Sequence, residues 1–249
     1  MIQLFKGDCL EVMKSIPDKS IDAIITDPPY GTTACKWDSV IPFDLMWEQL
    51  NRIIKDNGAI VLFGSEPFSS TLRISNIINY KYDWVWQKSH PTGHLNSKKQ
   101  PLRQHENICI FYKKQSTYNP QMTKKNYLDK RTKSGAFVKA DVYGDFTKVD
   151  RQIDISQAYP KSIQYFTTPF KGGEGGLHPT QKPVKLIEYL IKTYTNENEI
   201  VLDFTMGSGT TGVACKNLNR NFIGIEMDEK YFNIAENRIN NHVVIKELF

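Results

Sequence analysis

The sequence predicts an α/β fold built on a mainly parallel sheet, and three observations predict it. Apolar runs of strand length alternate with stretches of helical period, an Asp-Pro-Pro-Tyr turn closes one run, and a glycine-rich turn closes another. In chain order the strand runs fall at 21–26, 59–64, 82–87, 108–112, 200–203 and 222–226. Each is bounded by turn residues and rich in Ile, Val, Phe or Trp, which suit a sheet covered on both faces. A helix is expected at 43–55, closed by Asn57-Gly58, and another at 183–194, with Pro183 at its first position and Val184, Ile187, Leu190, Ile191 and Tyr194 as one apolar stripe. Helical stretches also follow the glycine turn, to about Leu218, and the last strand, over 228–240. Trp84 and Trp86 alternate on their strand and read as one-face packing rather than as base-stacking residues.

Bulk properties bound the function. A chain of 249 residues accommodates one sizeable domain with an insertion, and 40% hydrophobic with 24% charged residues is ordinary for a folded protein. The cysteines Cys9, Cys35, Cys109 and Cys215 form no C-x-x-C pair, and the five histidines show no ligand spacing with them, so neither a metal nor a disulfide framework is expected. No apolar run approaches the roughly 18 residues of a membrane span and no signal pattern opens the chain, so a cytoplasmic protein without membrane contact is expected.

The net charge of +5 is unevenly placed: residues 113–177 hold 12 Lys or Arg against 6 Asp or Glu, leaving the remainder at −1. A polyanion such as DNA would be bound this way, and so would a merely solvated surface be built. From about 115 to 176 the α/β rhythm is lost, and the stretch ends in Gly172-Gly173-Glu174-Gly175-Gly176, a hinge-like run. The expected organisation is a catalytic half at 1–113, an inserted recognition region at 114–177 and a cofactor-binding half at 178–249.

Two turns carry chemistry. Asp27-Pro28-Pro29-Tyr30 puts a carboxylate, a rigid backbone and an aromatic ring at a strand's C-terminal end, where open α/β sheets bind ligands. These types suit methylation of an exocyclic amine, whose lone pair is delocalised into the ring until acceptors hold its N–H bonds. Asp27 offers its carboxylate, Pro28 its carbonyl, and Tyr30 a face for an extruded base. Downstream, Asp203-Phe204-Thr205-Met206-Gly207-Ser208-Gly209-Thr210-Thr211 passes from strand to helix, its glycines leaving backbone bare where a ligand lies. The next strand ends at Glu226, able to grip ribose hydroxyls, so an adenosine-containing ligand is expected; no third glycine follows at nicotinamide spacing and no Gly-Lys-Ser/Thr marks a P-loop.

With these turns and His178-Pro179-Thr180-Gln181-Lys182-Pro183, the chain resembles the amino-group DNA methyltransferases of the permuted β class, whose catalytic motif precedes the cofactor loop with the target recognition domain between. Lys6-Gly7-Asp8 and the stretch from Glu106 to Lys113 are also similar to family segments, so the resemblance covers nearly the whole chain. It implies a Rossmann-like S-adenosylmethionine-dependent methyltransferase fold of seven strands, and base flipping with direct methyl transfer to N6 of adenine in double-stranded DNA. By the same resemblance Asp27, Pro28, Pro29 and Tyr30 hold the target base. Asp203, Thr205, Gly207, Ser208, Gly209 and Thr210 line the cofactor, Glu226 holds its ribose, Asp8 meets its adenine, and Thr180, Lys182 and Pro183 flank its methionine end. One departure stands out: many relatives have Asp-Pro-Phe where this chain has Asp203-Phe204-Thr205. Cytosine N4 methylation is the nearest alternative, since it needs the same two acceptors and the same stacking ring; by the resemblance Asp27 favours adenine, because cytosine N4 enzymes often carry Ser at that position. An inactive specificity subunit, or methylation of RNA or of a protein glutamine, are further ones. A homodimer and a cognate restriction endonuclease are partners the resemblance allows.

Overall fold

A computed structural model describes residues 1–33, 35, 38–124, 156–169 and 176–244. The elements run β1 (Ile2–Lys6), α1 (Cys9–Met13), β2 (Ile21–Thr26), α2 (Phe43–Ile53), β3 (Ile54–Gly64), α3 (Phe68–Ser75), β4 (Tyr80–Thr92), a 3₁₀ turn (His94–Asn96), β5 (Arg103–Phe111), β6 (Thr123–Lys124), β7 (Gln157–Ala158), β8 (Ile163–Phe166), α4 (Val184–Tyr194), β9 (Ile200–Asp203), α5 (Thr210–Asn217), β10 (Asn221–Glu226) and α6 (Glu229–Asn241). The chain divides into two compact units. Residues 1–119 with 162–249 form the first, and Pro120–Lys161 the second, whose described part holds the two-stranded β6–β7 ribbon. The recognition region expected at 114–177 falls in large part on residues 125–155 and 170–175, outside the described residues, as does nearly all of the glycine run.

The first unit holds a sheet in the order β1-β10-β9-β2-β3-β5-β4-β8. All neighbours pair in parallel except β5, which is antiparallel to both β3 and β4. The α/β expectation holds, with an eighth strand, β8, added at the edge beside β4. That four-residue strand has no apolar alternation in its sequence, and the pairing comes from its neighbour.

Alternate residues of the central strands feed two cores. Ala23, Ile25, Val61 and Phe63 pack with α4, α5 and α6 on one face, while Ile24, Ile60 and Leu62 pack with α1, α2 and α3 on the other. The stripe Val184, Ile187, Leu190, Ile191 and Tyr194 is buried as expected, and so are Trp84 and Trp86, whose indole nitrogens donate to Tyr194 Oη (2.6 Å) and the Phe166 carbonyl (2.9 Å).

Two boundaries differ from expectation. Helix α2 stops at Ile53 and β3 begins at once, so Asn57-Gly58 lies inside a strand. The pairing of β2 with β3 shifts register there, and a Cβ on Gly58 would sit 2.8 Å from the Asp22 carbonyl, so the glycine serves close backbone approach rather than a helix end. Pro183 is the extended N-cap of α4 instead of its first residue. Among the described residues no helix is long and apolar enough to cross a membrane, and no group of three His, Cys, Asp or Glu could hold a metal ion.

Gly209, the N-cap of α5, has φ +77°, and a Cβ there would meet Ile239 Cδ1 at 2.9 Å and the Ala235 Cα at 3.1 Å. The room it leaves is filled by α6. We expect Gly209→Ala to destabilise the fold by about 1–3 kcal/mol through the left-handed backbone alone, read as a lowered thermal midpoint. An unchanged midpoint would show that the turn relaxes.

Candidate active site

Strands β2 and β9 are neighbours, but the chain leaves β2 toward β3 and leaves β9 toward β10, so the sheet has its topological switch point between them. Their C-terminal ends carry Asp27 and Asp203, and the adjoining ends of β10 and β1 carry Glu226 and Gly7-Asp8. A cavity of about 370 Å³ opens over this edge, within the range of small-molecule sites. Of the residues expected to act, Asp8, Asp27, Pro28, Pro29, Tyr30, Thr180, Lys182, Asp203, Thr205, Gly207, Ser208, Thr210 and Glu226 line it. Pro183 and Gly209 do not; they cap α4 and α5 beside it.

The two turns are tied together underneath. Asp203 is buried, with Oδ1 accepting from Thr26 Oγ1 (2.5 Å) and the Thr205 amide (3.2 Å), and Oδ2 from Thr211 Oγ1 (2.6 Å). Burial pushes its carboxyl up to about 6 against these bonds. Thr205 Oγ1 in turn donates to the Asp27 carbonyl at 3.1 Å, so one hydroxyl links the glycine turn to the Asp-Pro-Pro-Tyr turn. Asp203 therefore works as an internal hub. Phe204, at the departure from the family pattern, packs into the core under α1, α2 and α3.

Gly207 has φ +50°, and a Cβ there would lie 3.6 Å from the His178 ring, in the opening itself. Glu226 accepts from the Gly207 amide (2.9 Å) through Oε2 and from the Asp228 amide (2.9 Å) through Oε1, and burial raises its carboxyl. With the Met227 amide as a third donor, the carboxylate keeps acceptor capacity for a further one. Asp8 caps α1, accepting from the Leu10 amide at 2.8 Å.

The Asp27 carboxylate is enclosed by two donors: Lys182 Nζ on Oδ2 and Tyr30 Oη on Oδ1. Lys182 also meets Glu106 Oε2 at 3.3 Å, and Glu106 Oε1 meets Lys88 at 2.5 Å, so a buried chain of alternating charge runs from Lys88 to Asp27. Burial raises the Asp27 carboxyl and Lys182 draws it back; the next largest influence, Glu106, pushes it up again. Burial acts on Glu106 too, but Lys182 and Lys88 together hold its carboxyl below the usual range. Lys182, which burial would discharge, is kept charged by both carboxylates. The Tyr30 ring stacks on Phe68 with centroids 4.9 Å apart.

Sequence reasoning missed Lys88 and Asp38, and it took Glu106 only as part of a similar segment. The Asp38 carboxylate accepts from four successive amides: Tyr30 (2.8 Å) and Gly31 (2.8 Å) on Oδ1, Thr32 (2.9 Å) and Thr33 (2.6 Å) on Oδ2. Partial burial opposes it, but the bonds from Thr33 and these amides hold the carboxyl below its usual range. Gly31 permits the wrap with φ +67°. No spacing rule leads from Tyr30 to an acid eight residues on; the signal is only an acid in the loop after a catalytic turn.

Residues 21–237 match the family model described as DNA methylase, and with most of its length matched the chain belongs to the DNA methylase family. It is similar to the type II methyltransferase M.HinfI of Haemophilus influenzae, 29% identical over 95% of this chain and 67% of the relative. The type II methyltransferase M1.MboII of Moraxella bovis is 28% identical over 96% of both chains. Among solved structures, the M1.HpyAVI complex with S-adenosylmethionine is 31% identical, with a TM-score of 0.67 over 96% of this chain and all of that one. The cytosine-N4-specific PvuII methyltransferase shares the fold, with a TM-score of 0.71 over 97% of this chain and 88% of that one at 18% identity.

Proposed function

We propose that this chain transfers a methyl group from S-adenosylmethionine to N6 of adenine in double-stranded DNA, and the observation that carries the reading is the Asp27 carboxylate at the switch-point cavity. Methyl transfer to DNA follows from the family. The cofactor reading is supported by a relative solved in complex with S-adenosylmethionine and by the lining of this cavity. Gly207 presents bare backbone to the opening, Glu226 offers acceptors for ribose hydroxyls, and the carboxylates of Asp8, Glu226 and Asp228 suit a ligand with a cationic sulfur. Ser208, Thr210 and Thr180 would complete its walls. When bound, that group supplies an electrophilic methyl.

The chain's own residues supply the rest. A flipped adenine needs acceptors for both amine N–H bonds, and Asp27 Oδ1 with the Pro28 carbonyl fill that need. Oδ1 is held by the Tyr30 hydroxyl here, so entry of the amine exchanges one donor for another and frees the Tyr30 ring to lie against the base. Lys182 stays on Oδ2 and favours the ionised form of Asp27 against burial. The carboxylate then stabilises the positive charge growing on the nitrogen, and Oδ1 is the acceptor for its surplus proton. Thr205, bound to the Asp27 carbonyl, and Asp38, bound to the four amides that follow Pro29, hold the turn in place meanwhile.

Cytosine N4 methylation would use the same acceptors, and the product decides between them. Mass spectrometry of nucleosides from duplex DNA incubated with enzyme and cofactor is expected to show N6-methyldeoxyadenosine. N4-methyldeoxycytidine in its place would overturn the base assignment while leaving the class of reaction intact.

A further inference from the structure

The strands β4 and β5 extend beyond the core as an arm. Their pairing continues from Gln87 and His105 to Thr92 and Arg103, and residues 93–102 close the end with the 3₁₀ turn. From residue 84 to 105 there is no Asp or Glu, while Lys88, Lys98, Lys99, Arg103 and three histidines fall within it. Every residue from 92 to 105 is exposed. Leu95 at the tip is fully exposed, so the arm's end packs on nothing in the described fold. Lys98 and Lys99 form no ion pair among the described residues. Lys88 is paired with Glu106, but the acid-free stretch leaves Lys98, Lys99 and Arg103 as a positive strip with no ion-pair partner among the described residues, and a strip of that sign calls for a polyanion.

The arm's position selects which polyanion. β5 runs against the parallel strands, so the β4–β5 connection leaves the sheet at the same edge as the C-terminal ends of β2 and β9, where the cavity opens. Its base is anchored there twice. Arg103 Nη1 donates to Ser65 Oγ at 2.7 Å in the loop after β3, and Glu106 and Lys88 join the buried chain that ends on Asp27. Strand β5 stands two strands from β2, about 10 Å at ordinary strand spacing. A duplex whose nucleotide is turned into the cavity carries its flanking phosphates past this arm, at one charge per roughly 1.7 Å of axis.

We propose that the β4–β5 arm is a DNA-contacting surface in its own right, in which Lys98 and Lys99 bind the phosphates flanking the nucleotide delivered to the Asp27 cavity. The contact is independent of sequence: it adds affinity and orientation, and base reading lies elsewhere. It rests on the reading of this chain as an enzyme of duplex DNA. Both lysines sit on the exposed end of the arm with no ion-pair partner among the described residues, so removing them is expected to leave the fold intact.

The test compares the unaltered full chain with Lys98→Ala/Lys99→Ala, measuring binding to a short duplex from 50 to 300 mM salt and, separately, steady-state methylation of DNA. Losing two phosphate contacts lowers the slope of log affinity against log salt by about 1.8, which is roughly 60-fold weaker binding at 0.1 M salt. The KM for DNA is expected to rise accordingly, while kcat at saturating DNA stays unchanged. A variant with the same salt slope and the same KM as the unaltered chain would overturn the arm's role. The predicted slope difference between the two chains, with no methylation of DNA by the unaltered one, would instead overturn the reading of its function and leave the arm standing. No duplex binding by the unaltered chain would end both.

Discussion

Asp27→Ala is expected to lose methyl transfer, with kcat down by at least 10²–10³-fold, while duplex affinity stays within about twofold of the unaltered chain. The carboxylate is the acceptor aimed at the amine and the charge that meets the developing cation, so both effects vanish together. The carboxylates near it among the described residues are held elsewhere: Glu106 is paired with Lys88 and Lys182, Asp203 is committed to Thr26, Thr205 and Thr211, and Glu226 lies on the Gly207 and Asp228 amides. Retained affinity distinguishes a lost chemical step from a lost binding surface. Single-turnover transfer under saturating DNA reads the step directly, and a rate near that of the unaltered chain would refute the role given to Asp27.

Lys182→Met is expected to move the acidic limb of the kcat profile upward and to depress the rate at neutral pH. The sign follows from the site. Methyl transfer needs Asp27 as a carboxylate, so activity falls as pH drops through its folded-state pKa. Burial already raises that value, Lys182 is the largest influence drawing it down, and Glu106 adds a second negative charge nearby. Without the ammonium, two buried carboxylates face each other with only Lys88 left at the far side of Glu106, and a proton is taken up at higher pH than before. Breaking such a buried pair also costs about 3–5 kcal/mol of stability, so the comparison is made well below the variant's thermal midpoint. An acidic limb at the same pH as in the unaltered chain would show that Lys182 does not govern the charge on Asp27. This electrostatic role differs from a contact to the methionine end of the cofactor, which would raise the cofactor KM and leave the limb in place.

Most of the fold was legible because burial leaves a periodic record along the chain. The strands at 21–26 and 200–203 were readable residue by residue, since both are covered on two faces and hence mostly apolar. Readability failed where local signals conflict with packing: Asn57-Gly58 looks like a helix stop and is a register shift in β3, because β2 imposes the pairing. Edge strand β8 and short β1 escaped because four or five residues with mixed exposure carry no distinctive period.

For the site, the sequence by itself determined which chemical groups are present and that each stands just past the end of a strand: a carboxylate before two prolines, an aromatic ring after them, and a bare glycine turn followed by an acid. Only the tertiary structure decided which groups touch. Lys182 and Asp27 are 155 positions apart, and Glu106 reaches them from the one strand that runs against the rest of the sheet. Periodicity reports the face on which a residue lies, whereas side-chain pairing depends on strand order and register, which are set by contacts between segments far apart in the chain. The same holds for Asp38 and for the acid-free arm: an ordinary aspartate and four scattered basic residues acquire their meaning only from the backbone amides and the sheet edge beside which the fold places them.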